Sequence, residues 1–167
     1  SGTIDITATG DVTGTGFVGI EALNLGTDLT ISAATVSGQS YGIFALNDGS
    51  GTLDITATGD VTATGFSVTG PAYGYSGIFA RNSGTDLTIS AGTVTGQRGI
   101  FAVNAGSGAL DITTTGDVTG ATSGFIGRIG IEARNYGTDL TISAAGASGG
   151  TFGIYAQNFG TGALDIT

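Results

Sequence analysis

Apolar and polar residues alternate along this chain in short runs, and the runs recur. The stretch from Leu29 to Asn47 carries three of them: Leu29-Thr30-Ile31-Ser32-Ala33, Thr35-Val36-Ser37 and Ile43-Phe44-Ala45-Leu46-Asn47. A period of two predicts strands, with Leu29, Ile31, Val36, Ile43 and Ala45 facing inward and Thr30, Ser32, Phe44 and Leu46 outward. The runs are rich in Thr, Val and Ile and are bounded by Gly. None has the length or periodicity of an amphipathic helix.

The third run belongs to a phrase, Gly-Ile-Phe-Ala-x-Asn, with copies at Gly19 to Asn24, Gly42 to Asn47, Gly77 to Asn82, Gly99 to Asn104, Gly130 to Asn135 and Gly153 to Asn158. Between copies comes Leu-Asp-Ile-Thr or Leu-Thr-Ile-Ser, then a short Val-Thr-Gly or Val-Ser-Gly. Units begin near Gly2, Gly26, Gly51, Gly84, Gly108, Gly137 and Gly160, at spacings of 24, 25, 33, 24, 29 and 23 residues. Repetition at a fixed period marks a solenoid. The predicted fold is therefore all-β, a right-handed parallel β-helix spanning residues 1–167. It has about 24 residues and three short strands per coil, in six full coils and part of a seventh. Strand spacing makes this a rod roughly 30 Å long. Strand edges left open near Ile4 and Leu164 predict end-to-end association.

Units alternate in type. Odd units read like Thr3-Ile4-Asp5-Ile6-Thr7, even ones like Asp28-Leu29-Thr30-Ile31-Ser32. Stacking them predicts an outward column of Asp5, Thr30, Asp54, Thr88, Asp111, Thr141 and Asp165. Carboxylates on adjacent strands would repel by roughly 1 kcal/mol even in water. A hydroxyl between them doubles their separation to about the Debye length at physiological salt.

Composition narrows the function. Net charge is −9, with four arginines and no lysine. Polyphosphate binding needs a cluster of cations, so a nucleic-acid partner is excluded, and with it a polybasic membrane patch. No apolar run approaches the roughly 18 residues of a membrane span. The chain has 33 glycines and no cysteine, yet 40% of its residues are hydrophobic and only 10% charged, which is not the composition of a disordered chain.

The recurring positions supply the candidate sites. Asn24, Asn47, Asn82, Asn104, Asn135 and Asn158 are in phase with the inward Ile and Ala, and predict an internal amide ladder. The position after Ile holds Glu21, Phe44, Phe79, Phe101, Glu132 and Tyr155. A carboxylate there twice in six argues that it faces water. Phe44, Phe79, Phe101 and Tyr155, flanked by Leu46 and Val103, then form an exposed strip that is either a contact surface or a reinforcement of the ladder. Insertions at about 64–75 and 120–128 fall at one corner and add Phe66, Tyr73, Tyr75 and Phe125 as candidate partner-binding residues. The aspartates repeat rather than converge, and no His or Lys assists them, so no catalytic residue and no cofactor is expected. Neither a calcium nonapeptide nor an EF-hand spacing occurs, and no metal site is expected, with Asp48 and the Asp11, Asp60, Asp117 series weighed only as incidental cation contacts. The outward Thr and Ser columns resemble those of ice-binding solenoids, but Asp interrupts one at every second coil.

Phrases such as Gly51-Thr52-Leu53-Asp54-Ile55-Thr56-Ala57-Thr58-Gly59-Asp60-Val61-Thr62 and Gly153-Ile154-Tyr155-Ala156-Gln157-Asn158 resemble the repetitive passengers of large Gram-negative monomeric (type V) autotransporter adhesins. The resemblance covers nearly all of the chain outside the two insertions. It implies export through a C-terminal barrel, display at the cell surface, and adhesion to a host extracellular-matrix or cell-surface protein. Signal peptide and barrel are expected outside this segment. An unfolded passenger threading a pore also accounts for the lack of cysteine. The alternatives are a structural spacer that holds a distal adhesive tip and, behind it, an ice-binding solenoid.

Overall fold

A computed structural model describes residues 2–65, 75–122 and 128–167. Among them every regular element is a β-strand, and every strand pair is parallel.

The strands fall into three families. Leucine strands are Ile4–Ala8, Leu29–Ala33, Leu53–Ala57, Leu87–Ala91 and Leu164–Ile166, with the first halves of Leu110–Thr119 and Leu140–Ser148. Valine strands are Val12–Gly14, Val36–Gly38, Val61–Ala63 and Val94–Thr95, with the second halves of those two longer strands. Asparagine strands are Val18–Asn24, Tyr41–Asn47, Ser76–Asn82, Arg98–Asn104, Ile129–Asn135 and Phe152–Asn158. The first two families join in an eleven-stranded sheet, and the third forms a six-stranded sheet.

Register obeys the sequence repeat. Leu29 pairs with Leu53, Leu53 with Leu87, Leu87 with Leu110, and Leu110 with Leu140. On the other sheet Ile20, Ile43, Ile78, Ile100, Ile131 and Ile154 pair in series. These inward columns meet in one core in which Leu29, Ile31, Val36, Ile43 and Ala45 are fully enclosed. A one-residue slip would turn every one of them to water, which is why the register is so firmly specified.

Where three separate strands per unit are expected, Leu110–Thr119 and Leu140–Ser148 run through the corner without a break. Thr114 pairs with Ala144, but Asp117 pairs with Gly146, so one strand carries an extra residue. That is a bulge, which bends the strand and leaves the ladder intact on either side.

The second residue of each asparagine strand is a glycine, and at Gly19, Gly42, Gly77 and Gly99 it has a packing cause. A Cβ at Gly77 would lie 2.5 Å from Val94 Cγ1, and one at Gly99 would lie 2.4 Å from Val118 Cγ1. The valine strand of the following turn presses on the backbone there. Only glycine leaves room.

Candidate binding face

Along one corner the asparagines form a continuous chain of side-chain hydrogen bonds. Nδ2 of Asn24 donates to Oδ1 of Asn47, and Asn47 to Asn82, both at 2.9 Å. Asn82 continues to Asn104 at 3.3 Å, Asn104 to Asn135 and Asn135 to Asn158 at 3.2 Å. Each amide also ties down its own turn. Nδ2 of Asn82 donates to the Asp86 carbonyl at 2.9 Å, while Oδ1 accepts the Gly84 N–H at 3.3 Å. Asn47, Asn82, Asn104 and Asn135 are wholly buried, so every bond replaces one that water would otherwise supply. This series is scaffold.

The outward acidic column is also in place. Asp54 pairs with Thr30 on one side and Thr88 on the other, and Asp111 pairs with Thr88 and Thr141. A second aspartate series does what the pattern did not reveal. Oδ1 of Asp28 accepts the Thr52 N–H at 2.9 Å, Asp86 accepts that of Ala109 at 2.8 Å, and Asp139 that of Ala163 at 2.7 Å. The residue receiving this clamp follows Gly51, Gly108 or Gly162. A Cβ at any of these three would lie 2.0 to 2.1 Å from the clamping oxygen. Alternation of unit types thus also pairs a carboxylate on even turns with a vacancy on odd ones.

The outer face of the asparagine sheet carries the aromatic column. Phe44, Phe79 and Phe101 are in register, with Glu21 before them and Glu132 and Tyr155 after. Rings of Phe44 and Phe79 stack at 4.9 Å and 16°, and Phe79 meets Phe101 at 5.2 Å. Tyr41 adds its ring 5.1 Å from Phe44 and 5.8 Å from Phe79. Burial pushes the Tyr41 hydroxyl above its ordinary value of 10.0, the nearby Arg98 charge pulling it back and Tyr75 adding to the rise.

Two expectations about this column need correcting. Phe79 and Phe101 are 9% and 6% exposed, so the strip is not open to water along its length, although Phe44, Leu46, Val103, Tyr75 and Tyr155 are half-buried. Neighbouring rings pack against one another and so shield each other from water. Glu132 is buried as well, unlike the exposed Glu21. The premise that a carboxylate must face water fails because partners come to it. Arg98 Nε approaches Glu132 Oε2 to 3.0 Å from the neighbouring strand, and Arg134 Nη2 donates to Glu132 Oε1 at 2.8 Å. The guanidinium of Arg98 also lies 4.9 Å above the Phe101 ring, a cation–π contact. The aromatic column therefore ends in a buried ion cluster.

Beside it runs a parallel column of Leu23, Leu46, Arg81, Val103, Arg134 and Gln157. Between the columns lies a groove of about 390 Å³, floored by Phe44, Phe79 and Phe101, walled by Leu46 and Val103, and rimmed by Arg81 and Arg134. Arg81 faces Asp48 at 3.5 Å with both side chains well exposed, a contact of small worth.

Exposed apolar groups also occur where the pattern did not point. Tyr136 and Phe159, each one residue past a ladder asparagine, stack at 5.0 Å and are more than half exposed. Phe17, Leu23 and Leu25 are similarly open. Phe66, Tyr73 and Phe125 lie outside the described residues. Among the described residues no three acidic side chains converge as a metal site would require.

Compared with protein-family models, with curated proteins and with solved structures, the chain matches none.

Proposed function

We propose that this chain is a segment of a surface-displayed β-helical stalk with an adhesive face, of the kind formed by autotransporter passengers, and that it is not an enzyme. In this reading the helix is right-handed, with about 24 residues and three strands per coil, six full coils and the start of a seventh. It is held at the bacterial outer membrane through regions outside this segment, and it meets a host matrix or cell-surface component.

The observation that carries the reading is the unbroken register of equivalent residues on both sheets, locked by the asparagine chain. Stability of such a stack resides in contacts between neighbouring turns, so length is added without a new core. That suits a rod whose work is reach and display.

Burial of Phe79 and Phe101 favours a second reading, a spacer with no ligand of its own. The two separate in one experiment. The purified segment is titrated onto immobilised matrix components and onto host cells. Saturable binding supports the adhesive stalk, and its absence leaves the spacer.

A further inference from the structure

We infer that the groove between the aromatic column and the Arg81–Arg134 column binds an anionic polysaccharide lying along the long axis of the stack. This deepens the adhesive reading and rests on it only for where the ligand would be met.

Charge is the first ground. The chain carries thirteen acidic residues against four arginines, yet Arg81, Arg98 and Arg134 all stand on adjacent strands of this one sheet. Arg81 and Arg134 line the groove, where they meet Asp48 and Glu132, and Arg98 shares Glu132 beside them, so three of the four arginines gather on one face of a molecule that otherwise repels anions. Nε of Arg134 is buried and meets no acceptor among the described residues.

Spacing is the second. Val103 pairs with Arg81 on one side and with Arg134 on the other, so the two rim arginines stand two strand spacings apart, about 9.5 Å. An extended peptide presents same-side residues every ~6.7 Å and would fall out of step. It would also find the backbone of this sheet interior already engaged in strand pairing, with no free edge to extend. A sugar chain advances by about one strand spacing per ring. An acid on every second ring would meet Arg81 and Arg134 in turn, with apolar ring faces against Leu46 and Val103.

The test uses the intact segment with three probes: a sulfated oligosaccharide, a uronate-only oligosaccharide and poly-glutamate, titrated at rising salt. Wild type is expected to bind at least one oligosaccharide, more weakly as salt rises. Arg81→Gln should weaken that binding about tenfold, and Leu46→Glu should abolish it. Leu25→Glu, which adds the same charge at a site 84% exposed and outside the groove, should bind as wild type. Thermal melts confirm that each variant is folded. No oligosaccharide binding, equal binding by Arg81→Gln and Leu46→Glu, or tighter binding of poly-glutamate would overturn the inference. Cell or matrix adhesion that survives both groove variants would sink it while leaving the adhesive reading intact. Glycan binding without adhesion would do the reverse.

Discussion

Asn47 donates its side-chain amide to the side-chain carbonyl of Asn82 at 2.9 Å, although thirty-five positions of chain separate them. The bond spans a turn lengthened by an insertion, so the ladder holds its geometry whatever the loop adds. Asn82→Ala would strip partners from Asn47, Asn104, the Gly84 N–H and the Asp86 carbonyl together. A loss of about 3 kcal/mol or more is expected in denaturant unfolding, since four hydrogen bonds worth roughly 1 kcal/mol each go together. Asn158→Ala, at the more exposed end of the ladder, should cost about 1 kcal/mol.

The clamp between Asp86 and the turn after Gly108 gives a coupled prediction. Gly108→Ala sets a methyl group against Asp86 Oδ1 and should destabilise, as should Asp86→Ala, which leaves the Ala109 N–H without its acceptor. Removing the carboxylate relieves most of the clash. The double variant should therefore lose at least about 0.5 kcal/mol less than the two single losses combined, measured by a double-mutant cycle in urea. Simple additivity would mean that the two sites do not touch.

Glu132 stands between two guanidiniums, and one of them, Arg98, is nearly buried. Glu132→Ala removes the carboxylate from beside that charge and should cost about 3–5 kcal/mol in thermal or chemical unfolding. Glu21→Ala, at the equivalent exposed position, should change stability by less than about 0.5 kcal/mol.

Tyr41 predicts an alkaline limit. The folded protein holds the hydroxyl proton more tightly than the unfolded chain, because burial disfavours the phenolate. Its contribution is whole below pH 10.0 and is lost as pH rises through the higher folded value. Unfolding curves above that pH should show wild type losing stability faster than Tyr41→Phe. Parallel curves would contradict the assignment.

Most of the scaffold was legible because its period is written in single residues. Ile20 through Ile154, the asparagines and the Asp–Thr alternation each mark one column, and pairing set by backbone geometry carries them into register. What escaped depends on side chains meeting across turns. Glu132 reads as a surface residue until Arg98, from the preceding turn, is placed beside it. Phe79 and Phe101 read as an open strip until their rings are seen to cover one another. Asp28, Asp86 and Asp139 look like turn residues. Their signal lay in the alternation itself, since each clamping aspartate belongs to an even unit and the glycine it faces, Gly51, Gly108 or Gly162, to an odd one.

Columnar stacking can be measured directly, because the chain has no cysteine of its own. Leu23 and Leu46 are paired across adjacent strands on the outer face, within the Cα separation a disulfide requires. Leu46 and Val103 share that column but have the strand of Arg81 between them, about 9.5 Å apart. Under mild oxidation, Leu23→Cys with Leu46→Cys should form an intramolecular disulfide in near-full yield, and Leu46→Cys with Val103→Cys should not. Failure of the first pair to close, or equal closure of both, would contradict the stacking.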